Sequence, residues 1–151
     1  MSDNEYARQE LDLRLIRIIR KMADVLFENL RNDINRYGLD AETFQIFELL
    51  YSKGPLPIQK ISEKLKIPSG SITYVVDKLE KKAFVQRASV PGDRRKTNVM
   101  LTEEGQVHFA DIFPKHAQVI SENLSSVTDE EKLVLIALLK KIGYGASESQ
   151  S

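Results

Sequence analysis

Residues 58–101, IQKISEKLKIPSGSITYVVDKLEKKAFVQRASVPGDRRKTNVML, constrain the fold more than any other stretch, because helical and strand periodicities meet there with little room for loops. Ile58, Ile61 and Leu65 recur at spacings of three and four, Ile67 closes a short turn, and Ile72, Val75, Val76 and Leu79 restart the same period. Two short amphipathic helices are therefore expected. The KIPSG segment between them holds Pro68, Ser69 and Gly70, which can stop one helix and start the next at an angle. Ser69 is the N-cap candidate; the alternative is Pro68 at the cap with Ser69 just inside. In either arrangement the first turns of the second helix present Ser69, Gly70, Ser71, Thr73 and Tyr74. Small and hydroxylated side chains of this kind suit a helix that must come close to phosphates and base edges.

The second half of the stretch reads as a hairpin. Phe84-Val85-Gln86-Arg87 and Thr97-Asn98-Val99-Met100-Leu101 are β-prone, and Val90-Pro91-Gly92-Asp93-Arg94-Arg95-Lys96 lies between them with a Pro-Gly turn signal. Arg94, Arg95 and Lys96 are expected at the exposed tip, where three adjacent cations repel one another and a polyanion is their natural partner. A solvated turn is the ordinary alternative. Asp93 is placed to pair with an arginine of the hairpin and hold its direction. Two helices followed by such a hairpin make a winged helix-turn-helix, a device suited to reading DNA.

A net charge of zero, with 22 Lys plus Arg against 22 Asp plus Glu, argues at first against a nucleic-acid partner. The distribution argues otherwise. Residues 53–101 hold 11 Lys plus Arg against 4 Asp plus Glu, a net of +7, so the remainder carries −7. Local rather than total charge sets the counterion release that drives binding to DNA. At 151 residues the chain fits one domain. With no cysteine, disulfides, thiolate metal sites and cysteine-based redox sensing are excluded. There is no apolar run of membrane-spanning length, and the polar start MSDNEYARQE does not resemble a signal peptide, so the cytoplasm is the expected location.

The flanks are helical. From about residue 5 to 37, Leu11, Leu15, Ile18 or Ile19, Met22, Leu26, Leu30 and Ile34 form one long pattern that Gly38 ends in a left-handed position. Asp40 opens a second helix with Phe44, Ile46, Phe47, Leu49, Leu50 and Tyr51, stopped by Lys53-Gly54-Pro55. Leu56 and Pro57 form an extended link suited to pair with the hairpin as a third strand. Thr102 caps a fifth helix with acids in its first turn, running through Phe109, Ile112 and Phe113 towards Leu124 with a bend expected at Pro114. Thr128 and Glu131 form a capping box for a last helix that is apolar almost all round, from Leu133 to Ile142. Both chain ends thus carry more apolar surface than one small lobe covers, and a homodimer is expected, consistent with two heads reading two half-sites.

Order of elements and residues together resemble the MarR family of bacterial transcription regulators. The resemblance spans nearly the whole chain: the long first helix, the SGSITYVVDKLEKKAFVQR segment, the PGDRR wing and LTEEG at the start of the fifth helix. It implies that the helix at about 69–82 lies in the major groove, that a wing arginine, foremost Arg95, enters the minor groove, and that Asp93 orients an arginine. It also implies a small-molecule effector. The family often has Gly between the recognition helix and the first wing strand, where this chain has Ala83, so a different helix end is expected there.

The expected fold is mainly α with a small β-hairpin wing: a winged helix lobe at about 40–101, dimerisation helices at about 5–36 and 103–142, and a flexible tail at 143–151. The DNA-contact candidates are Ser69, Gly70, Ser71, Thr73, Tyr74, Lys78, Arg94, Arg95 and Lys96, with Asp93 orienting the wing. Tyr74 is set to touch a base or phosphate, or else to pack on its own helix. Lys78, Lys81 and Lys82 suit backbone contacts or plain solvated charge. Arg94 and Arg95 stand out because a narrow minor groove attracts arginine. His108 and His116 lie eight apart, which is not a chelating spacing, so core or surface histidines are expected rather than a metal site. No phosphate loop or nucleophile motif is present, and neither catalysis nor a cofactor is expected. Phe44, Phe47, Tyr51, Met22, Phe27, Phe113 and His116 are the aromatic and thioether groups to watch for an effector pocket; ordinary core packing is the alternative, and no ligand site is assigned. The functional expectation is a double-stranded-DNA-binding, ligand-responsive repressor acting as a homodimer on a pseudo-palindromic operator. The competing class is a winged helix used only for protein–protein contact.

Overall fold

The structure, a computed structural model, describes residues 2–150. Its first helix, α1 (Asp3–Asn35), begins where Ser2 accepts a bond from the Glu5 amide, and it runs for 33 residues, about 50 Å at the α-helical rise. Gly38 ends the connection in a left-handed conformation, φ 72°. Asp40 then caps α2 (Ala41–Lys53): its Oδ1 accepts the Thr43 amide at 2.7 Å. Burial pushes the Asp40 carboxyl up, but the Thr43 bonds and the charge of Lys78 outweigh it and hold the group below its ordinary range.

The reading head follows as β1 (Leu56–Pro57), α3 (Ile58–Leu65), α4 (Ser69–Lys81), β2 (Val85–Val90) and β3 (Asp93–Leu101). The extended link is a third strand: Leu56 pairs with Val99 and Pro57 with Asn98, which gives an antiparallel sheet in the order β1-β3-β2. Val85 opposite Leu101 and Arg87 opposite Val99 set the register of the hairpin. Its strands are longer than the β-prone runs suggest, and the turn shrinks to Pro91 and Gly92, the latter at φ 84°. Arg94, Arg95 and Lys96 consequently lie on β3 and not at a loose tip. The register shifts at this point: Ser89 faces Thr97 and Val90 faces Asp93, so the three cations form a bulge with no residue paired to them on β2.

Above the head run α5 (Glu103–Asn123) and α6 (Asp129–Glu148). Thr102 caps α5, which continues through Pro114, and the capping box of Thr128 and Glu131 starts α6. The tail expected to be flexible from Gly143 is helical through Glu148.

The core lies between α2, α5 and the head. Phe109 is its centre, stacked on Phe47 at 5.0 Å and tilted against Tyr51 at 5.1 Å and Phe44 at 5.3 Å. Ile61, Ile72, Val76 and Val99 extend the same cluster down into the head. Full burial of such side chains contributes about 1.5–3 kcal/mol each, so the head is fixed by the inner faces of its own helices. The terminal helices contrast with this. Only Asp33 and Ile34 of α1 are buried, and α6 buries none of its residues, with Leu133 still 68% and Val134 59% exposed. Among the described residues no helix is long and apolar enough to cross a membrane.

Candidate nucleic-acid interface

Helix α4 owes its orientation to one stripe: Ile72, Val75, Val76 and Leu79 are buried, which turns the opposite side to solvent. Pro68, with extended backbone, occupies the cap position and makes no side-chain cap bond, so Ser69 is the first helical residue and not the cap. Its hydroxyl is thereby left free of capping duty. Ser69, Gly70 and Tyr74 are exposed, and Ser71 and Thr73 half-buried. Thr73 Oγ1 donates to the Ser69 carbonyl at 3.0 Å, so its oxygen is left to accept. Tyr74 is 65% exposed, and Lys78 Nζ sits 5.4 Å from its ring centroid. The two side chains form a cation–π unit on the outer face, with the phenol hydroxyl outward-going polar chemistry beside a positive charge.

On the wing, Arg94, Arg95 and Lys96 fall between Asp93, which pairs with Val90, and Thr97, which pairs with Ser89, where the register of β3 shifts. Arg94, Arg95 and Lys96 are all exposed and make no ion pair among the described residues. Asp93 does not pair with a guanidinium either. Its Oδ1 accepts the backbone amide of Arg95 at 3.0 Å, so it orients that arginine through the main chain, directly after the Pro-Gly turn.

The arginine that carboxylates do hold is Arg87. One of its terminal nitrogens lies 2.7 Å from Asp77 Oδ1 and the other 3.1 Å from Glu80 Oε2, tying β2 to α4. The Asp77 hydrogen bond raises the Arg87 pKa above its ordinary value; burial opposes this and Glu80 reinforces it. Nothing in residue propensity marks Arg87 apart from other strand cations. The available signal was the pair of acids three apart on a helix that otherwise faces a polyanion.

The joint between α4 and the wing is tightly built. Ala83 adopts a left-handed conformation, φ 62°, the Phe84 amide donates to the Leu79 carbonyl at 2.9 Å, and the Ala83 amide to Glu80 at 3.0 Å. This is the glycine-type helix end reached with an alanine. The expected difference in helix end is therefore absent; the cost of the missing glycine remains. Ala83 is exposed and its methyl buries little. Ala83→Gly should raise stability by about 0.5–1 kcal/mol, the relief of left-handed strain less the extra freedom of glycine when unfolded, measured by chemical denaturation. Unchanged or lower stability would show that the alanine is unstrained.

The α5 first turn grips the same joint. Thr102 donates its hydroxyl to the Ala83 carbonyl and its amide to the Phe84 carbonyl, and His108 stacks on the Phe84 ring at 4.4 Å, within 8° of parallel. Further along, His116 Nδ1 lies 2.8 Å from Asp33 Oδ2, with both side chains about 5% exposed. His116 is thus a core residue linking α5 to α1. Phe44 and Phe47 are also core, Tyr51 and Phe113 lie at its edge, and Met22 and Phe27 stand exposed on α1. Among the described residues no group of three or more His, Asp or Glu could hold a metal ion.

Comparison with known proteins agrees with this geometry. The family model described as MarR family matches residues 39–97, from the start of α2 into the middle of β3. The HTH-type transcriptional regulator MhqR of Bacillus subtilis is 39% identical over 139 residues, covering 92% of this chain and 96% of that protein. Among solved structures, Sco3205 of Streptomyces coelicolor, a MarR family transcriptional regulator in complex with DNA, superimposes with a TM-score of 0.78 at 22% identity, over 92% of this chain and 88% of its own. BpsR of Bordetella bronchiseptica, whose DNA binding is regulated by 6-hydroxynicotinic acid, gives a TM-score of 0.72 at 20% identity, over 84% and 91%.

Proposed function

Because this chain belongs to the MarR family of transcription regulators, we propose that it acts as a homodimeric repressor that binds a pseudo-palindromic duplex and releases it when a small molecule binds. The observation that carries this reading is the pairing of a basic reading head, +7 over residues 53–101, with two terminal helices whose apolar residues find no cover in their own chain. A second copy supplies that cover, and two heads on one base then meet half-sites about one helical turn apart. Ser69, Gly70, Ser71, Thr73, Tyr74 and Lys78 meet the major groove, Arg95 the minor groove, and Arg94 and Lys96 the flanking backbone, with Asp93 holding the Arg95 main chain. An effector favouring a different separation of the heads lowers affinity by its differential binding to the two states. A regulator of this kind is a binding protein and not an enzyme, and it works beside the chromosome in the cytoplasm.

The test is selection of bound duplexes from a random pool, followed by salt titration. Two half-sites in the recovered duplexes are expected; a single short site would remove the dimer. A winged helix used only for protein contact would show no salt-dependent binding even to random duplex. Arg95→Ala should weaken operator binding about tenfold and make the salt slope shallower by about 0.9 for each phosphate charge no longer neutralised. Unchanged slope and affinity would take the wing out of the mechanism.

A further inference from the structure

Two carboxylates on a helix that reads a polyanion need a reason. Asp77 and Glu80 stand three apart on the exposed side of α4, and as free charges they would repel the phosphates that the rest of the head attracts. Counting Arg87 with them leaves a net of −1, so the trio adds nothing to electrostatic attraction. Its value must be geometric.

We propose that Arg87 is a positioning residue for DNA reading, which locks the wing to the recognition helix through Asp77 and Glu80 and so sets where Arg95 falls relative to the major groove. Each end of the guanidinium fork takes a different carboxylate, at 2.7 and 3.1 Å, a bridge that the single ammonium of lysine cannot reproduce. Both ends of the bridge start from fixed backbone. Arg87 is paired in register with fully buried Val99 and lies two residues from buried Val85, while the acids flank buried Leu79. The arginine side chain is 28% exposed against 54% and 44% for its partners, so it is the most buried member of the trio and the least available to a phosphate. Arg87 and Arg95 belong to the same hairpin, Arg87 pairing with Val99 on the strand that carries Arg95. Swinging the hairpin about α4 would therefore carry Arg95 with it.

The proposal rests on the DNA-reading function above, and the experiment separates the two. Full-length wild type, Asp77→Asn/Glu80→Gln, Arg87→Gln and the triple variant are titrated by fluorescence anisotropy against a duplex recovered by selection and against poly(dI-dC), across a salt series, with circular dichroism confirming matched folds. Positioning predicts that the double carboxylate variant binds the selected duplex about tenfold more weakly although it removes two negative charges per chain, that Arg87→Gln does the same, and that the triple variant is no worse than either. The salt slope on poly(dI-dC) should stay unchanged in Arg87→Gln. Tighter binding by the carboxylate variant, with a slope about 0.9 shallower per chain in Arg87→Gln, would make Arg87 a phosphate contact instead. Unchanged affinity in all variants would leave only a surface ion pair. Failure of the wild type to bind either duplex would overturn the DNA-reading function and this proposal together. Arg87→Lys provides the conservative control: partial loss is expected, and full activity would show that the two-carboxylate bridge is unnecessary.

Discussion

Gly105→Ala should destabilise the chain by about 3 kcal/mol or more, at the upper end of what one added methyl costs in a packed site. A Cβ at Gly105 would lie 2.0 Å from the Phe84 carbonyl oxygen and 3.0 Å from its carbon, which are backbone atoms and not the movable end of a side chain. That carbonyl has nowhere to go. It accepts the Thr102 amide at 3.0 Å, while the amide of the same residue is bonded to Leu79 and the ring is stacked on His108. Relief would require α5 to lift from the joint, which exposes Phe84 and breaks the Thr102 bonds to Ala83 and Phe84. At about 2–4 °C per kcal/mol for a chain of this size, the melting temperature should fall by roughly 6–12 °C at fixed protein concentration. A fall under about 2 °C would mean that the contact is soft. Any folded fraction should also bind duplex more weakly, since the displaced joint carries the end of the recognition helix.

The second large effect concerns the buried pair between the base and the head. His116→Leu removes the imidazole that Asp33 Oδ2 meets at 2.8 Å, and leaves a carboxyl group only about 5% exposed with the Tyr37 side chain near it. Burial, the Asp33 charge and the bond to Asp33 all raise the Tyr37 pKa, so that hydroxyl stays a donor. One neutral donor does not replace a ring that could carry charge. Breaking a buried pair from one side costs about 3–5 kcal/mol, chiefly through the orphaned partner. Asp33→Leu/His116→Leu should recover most of that loss, because neither polar group is then left buried without its partner. Equal destabilisation by the single and double variants in chemical denaturation would show that the contribution is packing of the imidazole on Phe44, whose ring centroid is 4.7 Å away.

These two sites mark where a reading of the residues alone stops. Periodicity placed the helices and the caps at Asp40, Thr102 and Thr128, because capping is a local exchange between a side chain and amides two or three residues on. It also indicated β1 and the surplus apolar surface at both ends. It underestimated the hairpin, since Arg94 and Lys96 have poor strand preference and become part of β3 only because the paired residues on either side, Asp93 and Thr97, keep the chain extended through the bulge. It misassigned the partner of Asp93 for a related reason: the acid and the arginines are neighbours in sequence, yet the turn geometry offers Asp93 an amide and leaves the guanidinium groups outward. Arg87 escaped notice because its partners, seven and ten residues back, become neighbours only when the helix end at Ala83 folds the strand back along α4.

What the residues determined by themselves is therefore the local content of the molecule: a basic winged head, the helices that carry it, and apolar termini that call for a second copy. Tertiary structure alone decided how the head is held. The bonds that set its angles join Asp33 to His116, Thr102 to Phe84 and Arg87 to Asp77 and Glu80, and each depends on where separately formed elements come to rest. Hydrophobic burial is non-directional and fixes which faces turn inward; the directed contacts, made only after that packing, choose one angle among those that burial permits.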